Sequence, residues 1–355
     1  MWDIMRIVVN DIAASKGGAL TVLKDFYNCV RENDTENEWI FLLGDKLLEE
    51  TDNIKIITLP EIKNSRSKKL MFDLFNGKKF IKSLEPDVVF SLQNTVTFGL
   101  DVPQILYIHQ SIPFQKIKKF SFFKGSERSL AIIQHLIGRV IKKSAKVADK
   151  VIVQTKWMKE AVCKQCHLSK EKVLQIPPAV ADISAYNTSH EFNKNSFFYP
   201  TAPAIYKNNA AIYKACEMLD AGNLDYDVTL TLTKSTEKKN IHFVGRLPYG
   251  EVIEEYAKST LIFPSYIETF GFPMAEARKV GTVVLASDCP FSREVLENYE
   301  NAYFFDPFKP EELASLMERV ISGDIQKKKT STAQDDTQNG WLTIMNEVIN
   351  LKHNN

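Results

Sequence analysis

The sequence predicts an α/β protein in which each half of the chain forms its own doubly wound parallel sheet. Short apolar segments alternate with amphipathic helical patterns throughout, as expected where helices cover both faces of parallel strands. The alternation pauses at Pro177-Pro178 and in a polar run from 187 to 195, and then restarts. A length of 355 residues also suits two domains of ordinary size.

Seven strands are predicted in the first half, each a short apolar run bounded by polar or turn-forming residues. They cover residues 6–9, 39–43, 54–59, 87–92, 104–109, 150–154 and 173–176. Apolar residues at spacings of three and four predict a helix over 20–30, and further helices are predicted over about 70–84 and up to 165. The first helix follows Gly17-Gly18, where the absence of side chains lets backbone approach a ligand closely.

Six strands are predicted in the second half, at residues 197–199, 227–232, 242–244, 261–263, 282–286 and 303–305. Helices are predicted over 209–219, 249–258, 273–280, 311–321 and 341–351. We therefore predict one domain over 1–180 and a second over 181–330. Residues 331–355 are predicted to form a loop and a helix that packs back on the first domain. The cleft between two such domains is the default place for a ligand.

The stretch from 261 to 287 is predicted to form a strand, a turn, a helix and a second strand. Pro273 suits the first turn of the helix, and Gly281 suits its end, where a positive φ is needed. A turn that leads from a strand into a helix N-terminus binds anions readily. Because Glu268 in the turn and Glu276 in the helix flank this site, we expect a ligand with phosphates at one end and hydroxyls at the other.

Composition and charge exclude several classes of protein. The formal net charge of +1 predicts no bulk attraction to nucleic acid. The first ten residues lack the pattern of a signal peptide, and no apolar run approaches the ~20 residues of a membrane-spanning helix. The five scattered cysteines indicate reduced thiols. We therefore predict a cytoplasmic protein, bound peripherally to the cytoplasmic face of the membrane.

The segment from 113 to 124 interleaves lysines with aromatic residues. Such a pattern suits an anionic lipid surface, because aromatic rings insert while the lysines meet headgroups. The alternatives are stacking on single-stranded nucleic acid and a solvated loop whose phenylalanines pack beneath it. The predicted membrane contacts are Lys116, Lys118, Lys119, Phe120, Phe122, Phe123 and Lys124.

The whole chain resembles the GT-B glycosyltransferases, specifically retaining family 4, in the style of bacterial O-antigen and capsule enzymes. The motif that carries this is Pro-Ser-x-x-Glu-x-Phe-Gly-x-Pro-x-x-Glu-Ala over residues 264–277, with its two glutamates at 268 and 276. The resemblance implies a GT-B fold, with two Rossmann-like domains facing a central cleft. It assigns the acceptor to the first domain and the nucleotide-sugar donor to the second.

The resemblance also implies roles for individual residues. The catalytic residues are Glu268, His109 and Lys207, with Lys207 on the diphosphate, Glu268 on the donor sugar, and His109 close to that sugar. Glu276 corresponds to the residue that holds the ribose hydroxyls. The donor-binding set comprises Gly17, Gly18, Lys207, Gly245, Arg246, Leu247, Ser265, Glu268, Thr269, Phe270, Gly271, Phe272 and Glu276. His109 also stands at the carboxyl end of a predicted strand, where open α/β sheets bind ligands.

The sequence departs from the family where a second phosphate-binding cation is usual. The family has an arginine about five residues before the lysine, but residues 200–204 carry no cation here. Arg246 is a candidate substitute. No metal or other cofactor is expected, because a lysine, a helix N-terminus and glycine-loop amides can stabilise the charge on a leaving diphosphate.

These observations predict an enzyme that moves a hexosyl group from a nucleotide-sugar to a glycan or a polyprenyl-diphosphate-linked acceptor. The anomeric configuration is expected to be retained, and the pathway is surface polysaccharide synthesis. Two alternatives use the same scaffold. One is a nucleotide-sugar epimerase, which turns over the donor without an acceptor. The other is a non-catalytic nucleotide-sugar-binding protein.

Overall fold

The computed structural model describes residues 4–14, 18–233, 239–329 and 340–351, except for the side chain of Arg66. These residues form two compact units. The first contains the described residues up to 122, together with 128–179 and 340–351. The second contains 123–127 and the described residues from 180 to 329. Each unit is built on one parallel sheet.

The described part of the first unit has a seven-stranded sheet. Its strands are β1 (Arg6–Asp11), β2 (Glu38–Leu43), β3 (Ile54–Thr58), β4 (Val88–Ser91), β5 (Gln104–Ile108), β6 (Lys150–Val153) and β7 (Val173–Gln175). They run parallel in the order β3-β2-β1-β4-β5-β6-β7. Strands β4 and β5 are buried along their whole length, which explains why their sequences are almost continuously apolar.

Helices cover both faces of this sheet. They are α1 (Gly18–Asn33), α2 (Pro60–Lys63), α3 (Arg66–Met71), α4 (Gly77–Lys82), α5 (Arg128–Ala131), α6 (Gly138–Val147) and α7 (Lys156–Cys166). A π-helical stretch, Phe72–Asn76, joins α3 to α4, and another, Ile132–Ile137, joins α5 to α6. The helix predicted over 70–84 therefore begins earlier. Its start is set by Ser65, whose hydroxyl accepts a hydrogen bond from the Lys68 amide.

The described part of the second unit has a six-stranded parallel sheet and five α-helices. The strands are β8 (Ser196–Tyr199), β9 (Asp227–Leu230), β10 (Ile241–Phe243), β11 (Thr260–Phe263), β12 (Val284–Ser287) and β13 (Ala302–Phe305), in the order β10-β9-β8-β11-β12-β13. The helices are α8 (Asn209–Ala221), α9 (Tyr249–Lys258), α10 (Phe272–Val280), α11 (Pro290–Val295) and α12 (Pro310–Ser322). A 3-10 turn, Ile205–Lys207, precedes α8.

The last helix, α13 (Gly340–Asn350), packs on the first unit, as predicted. Trp341 enters the core there, with its ring centroid 5.8 Å from that of Phe26 on α1 and 5.6 Å from that of Tyr107 on β5. An ion pair of 2.5 Å between Lys150 and Glu347 adds a polar contact to the same face. The chain thus returns to the first unit after completing the second sheet.

The predicted fold class is confirmed, since every predicted strand is present with its bounds shifted by at most a few residues. Both sheets wind outward in two directions from a central pair, β1 with β4 in the first and β8 with β11 in the second. Loops that leave such a central pair diverge, and ligands of open α/β sheets bind between them. The fold therefore offers one such edge in each unit.

Candidate functional site

The central pair of the second sheet brings two of the predicted catalytic residues together. Strands β8 and β11 are neighbours, although they are far apart in the chain. Lys207 lies in the turn that follows β8, and Glu268 lies in the loop that follows β11. The site is therefore at the carboxyl ends of these strands, where the fold favours ligand binding.

Lys207 and Glu268 form an ion pair, with 2.5 Å between Nζ and Oε1. Their side chains are 20% and 17% exposed, so the pair lies at the edge of the interior and can be reached from solvent. The Ser265 hydroxyl donates a hydrogen bond of 2.7 Å to the same carboxylate oxygen. The three side chains form a compact polar group, and a carboxylate with two oxygens keeps capacity for further hydrogen bonds.

The charge on Lys207 is secured by its surroundings. Burial opposes that charge, but the Glu268 carboxylate beside it raises the pKa of Lys207 above its ordinary value. The ring centroids of Tyr206 and Phe263 lie 5.9 Å and 6.0 Å from Nζ. Because aromatic faces attract cations, these rings favour the charged form as well. Lys207 is thus a cation throughout the physiological pH range.

The backbone around Lys207 is held to the loop that carries Glu268. The amide of Tyr266 donates to the carbonyl of Tyr206 at 3.1 Å. Asn208 takes a left-handed conformation with φ +57° and precedes α8, while its side-chain amide reaches the carbonyls of Pro264 and Pro307 at 3.2 and 2.7 Å. These bonds fix the spacing between the two loops, and with it the ion pair.

The N-terminus of α10 adds backbone donors to the site. Gly271 precedes the helix with φ +98°, and a Cβ at this position would lie 2.6 Å from the Met274 methyl group. The positive φ is what favours glycine here, because the Met274 methyl group is the end of a flexible side chain and can move aside. Among the described residues no side chain caps the helix. Pro273 has no N–H and the Met274 amide donates to the Gly271 carbonyl at 3.0 Å, so the Phe272 amide is the first-turn donor that remains for a ligand. The adjacent rings of Phe270 and Phe272 pack edge to face, with centroids 5.2 Å apart.

Glu276 lies in α10 and is held by two tyrosine hydroxyls. Tyr249 donates to Oε1 and Tyr256 to Oε2, each at 3.1 Å. Burial raises the pKa of Glu276, and the two tyrosine hydrogen bonds counteract part of that effect. Sequence reasoning predicted Glu276 but missed both tyrosines. A usable signal was present, because the two residues lie seven apart on the helix before the motif and so share one face.

The remaining donor-binding predictions in the second unit occupy loops. Gly245 has φ +71°, and its amide donates to the Leu232 carbonyl at 3.0 Å. Arg246 is exposed, whereas Leu247 and Thr269 are half-buried. Arg246 therefore stays a candidate for the missing cation, with its side chain on the surface of the turn after β10.

The first unit carries the other predicted site residues. Gly17 lies outside the described residues, and Gly18 is the exposed first residue of α1. His109 follows β5, and its amide donates to Oδ1 of Asn94 at 2.8 Å. Nδ2 of Asn94 lies 3.0 Å from Nε2 of the same histidine. Withdrawal of the ring from water lowers the pKa of His109 to about 4, so this residue is neutral at physiological pH.

A second polar group at the edge of the first sheet was not predicted. The Asp73 carboxylate, in the π-helical stretch, accepts hydrogen bonds from Lys69 Nζ at 3.1 Å, Thr95 Oγ1 at 2.7 Å and Gln93 Nε2 at 3.0 Å. The Asp73 side chain is only 1% exposed. We call these four residues the Asp73 cluster.

The residues predicted to contact a membrane differ in burial. Phe120 is only 3% exposed, so its predicted membrane contact is wrong: the ring belongs to the interior, where Lys118 Nζ lies 5.7 Å from its centroid. Phe123 is 96% exposed and Phe122 39% exposed. The other predicted contacts, Lys116, Lys119 and Lys124, are exposed, and Lys118 is half-buried. None of the described helices is both long enough and apolar enough to cross a bilayer.

Two protein-family models match the sequence. Glycosyltransferase Family 4 matches residues 16–182, and Glycosyl transferases group 1 matches residues 205–336. Among curated proteins, the O-antigen chain mannosyltransferase RfbU of Salmonella typhimurium is 25% identical over 170 residues. That match covers 45% of this chain and 48% of the relative, so it spans about half the length of each protein.

Solved structures share the fold over nearly the whole chain. The apo form of the lipopolysaccharide outer core galactosyltransferase WaaB has a TM-score of 0.64 at 15% identity, covering 97% of this chain and 99% of its own. Anabaena HepE in complex with UDP and glucose has a TM-score of 0.61 at 16% identity, covering 97% and 95%. With both sheets and both family matches in agreement, this chain belongs to the GT-B glycosyltransferases, with a family 4 N-terminal half and a group 1 C-terminal half.

Proposed function

We propose that the protein transfers a hexosyl group from a nucleotide-sugar to a glycan or polyprenyl-diphosphate-linked acceptor, with retention of anomeric configuration, in surface polysaccharide synthesis. The observation that carries the proposal is the Lys207–Glu268 ion pair beside the N-terminus of α10, at the central strands of the second sheet. A cation, a helix N-terminus with the Phe272 amide, and a carboxylate at one edge match a ligand with phosphates and sugar hydroxyls.

The comparisons support the same ligand class. HepE was solved with UDP and with UDP-glucose, and RfbU is named for mannosyl transfer to an O-antigen chain. By analogy we assign a nucleoside diphosphate-sugar to the site in the second unit.

The chemistry follows from the charge that develops as the donor bond breaks. The nucleoside diphosphate leaves with extra negative charge, which Lys207 and the N-terminus of α10, through its dipole and the Phe272 amide, stabilise. Glu268 accepts hydrogen bonds from sugar hydroxyls and so fixes the orientation of the ring. His109, neutral at physiological pH, contributes hydrogen bonding rather than charge. The proposed mechanism uses no metal.

Binding and turnover of nucleotides by Lys207→Ala test the proposal. A nucleotide-sugar at 100 times its dissociation constant should stabilise the wild type by ~2.7 kcal/mol in a thermal-shift screen. Lys207→Ala should lose this shift and reduce donor turnover about 100-fold, because one well-aimed donor contributes that much. Its own melting temperature should change little. Equal turnover by both proteins would show that the role of Lys207 is wrong.

The same measurements of nucleotide binding and donor turnover separate the alternative functions. An epimerase would convert the nucleotide-sugar without any acceptor. A non-catalytic binding protein would show the thermal shift with neither transfer nor slow donor hydrolysis. No shift with any nucleotide or nucleotide-sugar would refute the donor site itself.

We also propose a peripheral contact with anionic lipid through the exposed part of the segment from 113 to 124. The support is the exposure of Phe122 and Phe123 next to Lys119 and Lys124. Exposed rings beside cations suit the boundary between headgroups and acyl chains. Such a contact would keep the enzyme at the cytoplasmic face of the membrane, close to a lipid-linked acceptor.

A further inference from the structure

Glu276 is held by two hydroxyl groups that come from a single helix. Tyr249 and Tyr256 are the first and eighth residues of α9, two helical turns apart, and so they project from the same face. Each donates to a different oxygen of the Glu276 carboxylate, at 3.1 Å in both cases. The carboxylate is therefore fixed at both oxygens by a rigid element.

The two tyrosines differ in their surroundings. Tyr256 is fully buried, and its ring packs against Phe198 of β8 with centroids 5.6 Å apart. Tyr249 is 36% exposed, and its ring packs edge to face against Tyr186 at 5.6 Å. One hydroxyl is thus anchored in the core and the other stands at the surface. Together they set both the rotation and the depth of the carboxylate.

The arrangement leaves capacity for a ligand. An ionised carboxylate offers about four acceptor positions, two on each oxygen. With one position on each oxygen used by a tyrosine, one further position remains on each. Two neighbouring hydroxyl groups, spaced as the 2′- and 3′-hydroxyls of a ribose, match two such positions side by side.

We propose that Tyr249 and Tyr256 are positioning residues that present Glu276 to the vicinal diol of a ribonucleotide, and that they thereby set the discrimination against 2′-deoxyribonucleotides. This inference rests on the proposed donor site in the second unit. It adds to that site a specificity element on α9, outside the motif over residues 264–277.

Without its hydroxyl donors the carboxylate can rotate away from the diol. A Tyr→Phe change at either position removes one hydrogen bond and keeps the ring and its packing. Such a variant should lose affinity for ribonucleotides and lose little for deoxyribonucleotides, which already lack the 2′-hydroxyl. A structural role alone would weaken both ligands by the same factor.

The experiment is calorimetric titration of UDP, GDP and ADP, each with its 2′-deoxy counterpart. The wild type should bind at least one ribonucleotide about tenfold more tightly than its deoxy form. In Tyr249→Phe and Tyr256→Phe this ratio should fall to about threefold or less. Glu276→Gln is the matched control, with a ratio near one, and adding Tyr249→Phe to it should change the ratio no further.

The outcomes are distinct. An unchanged ratio in both tyrosine variants overturns the inference, as does a wild type that binds nucleotides without preferring ribose. In either case nucleotide binding itself leaves the proposed function standing. If the wild type binds none of the six nucleotides, the donor site fails and the inference fails with it. Tyr256 is in the core, so Tyr249→Phe, at the surface, decides the matter if Tyr256→Phe does not fold.

Discussion

Each of the two units contains a lysine–carboxylate ion pair. The two pairs are similar but differ in how much hydrogen-bonding capacity their carboxylates retain. Lys207 and Glu268 are 2.5 Å apart in the second unit, and Lys69 and Asp73 are 3.1 Å apart in the first. In both, a hydroxyl from the loop after a central strand joins the carboxylate, from Ser265 in one and Thr95 in the other. Each group thus contains a lysine, a carboxylate and a hydroxyl, and residue types alone do not distinguish a ligand-binding group from a structural one.

Their surroundings separate them. Asp73 is 1% exposed and receives donors from three side chains, so its carboxylate is nearly saturated and closed to solvent. Glu268 is 17% exposed and stands beside the N-terminus of α10, where no side chain caps the helix within the described chain and the Phe272 amide remains. We therefore expect a ligand at the ion pair that keeps unused hydrogen-bonding capacity beside a further donor. A saturated, buried pair holds the fold together instead.

Replacing each lysine in turn and measuring the stability of the variant tests this difference most directly. Lys69→Met should lower the free energy of unfolding by about 2 kcal/mol at pH 8, because Asp73 keeps a buried charge with one donor fewer. Lys207→Met should lower it much less, since Glu268 is partly exposed. Melting temperatures of both variants provide the measurement.

The pH dependence of the Lys69→Met effect has a definite sign. Burial raises the pKa of Asp73, and Lys69 acts to lower it. Without Lys69 the pKa rises further, so the folded variant loses stability as pH increases through that pKa. The deficit relative to the wild type should therefore be large at pH 8 and shrink toward pH 5. Equal deficits at the two pH values, or an equal loss in Lys207→Met, would contradict the distinction between the two pairs.

A smaller effect should follow from replacing Glu268. In Glu268→Gln the cation of Lys207 no longer has a carboxylate partner, so an added anion meets no competitor for it. Affinity for inorganic pyrophosphate should rise about tenfold, equivalent to ~1.4 kcal/mol. Donor turnover should fall at the same time, because the sugar loses its acceptor. Calorimetric titration with pyrophosphate at fixed ionic strength measures the first effect.

Glu276→Gln is the matched control for that titration. It makes the same chemical change in the same helix–turn stretch, but its carboxylate is bonded to tyrosines rather than to Lys207. Pyrophosphate affinity should therefore change less than twofold. If Glu268→Gln leaves the affinity for pyrophosphate unaltered, Glu268 does not compete with added anions for Lys207.

The fold and the motif residues of the candidate site could be predicted from sequence because local signals carried them, whereas the contact between Lys207 and Glu268 depends on the pairing of β8 with β11. Apolar runs and helical spacing located the strands of both sheets, and the motif over residues 264–277 kept its glutamates within one loop and one helix. Pro273 and Gly281 gave the bounds of α10 through backbone chemistry alone. Such features need no knowledge of which strands are neighbours.

The hydrogen bonds to Asp73 and Glu276 could not be predicted, because they depend on contacts between distant parts of the chain. Asp73 meets Thr95 and Gln93 only because the π-helical stretch that carries it packs beside the loop after β4. The hydroxyl groups of Tyr249 and Tyr256 reach Glu276 only after α9 packs beside α10. Sequence spacing gave the face of α9 but could not tell what that face would contact.

Two phenylalanines in the segment from 113 to 124 show the same difference between a buried and an exposed side chain, and here we expect the smallest effect. Phe120 is buried and should support the fold, whereas Phe123 is almost fully exposed and is proposed to contact lipid. Phe123→Ser should reduce co-sedimentation with phosphatidylglycerol vesicles about fivefold, equivalent to ~1 kcal/mol, with no change in melting temperature. Phe308→Ser, which alters a 53% exposed ring in the second unit, is the control and should bind as the wild type does. Equal vesicle binding by Phe123→Ser and the wild type would exclude this ring as a lipid contact, and lysines alone would have to account for any remaining binding.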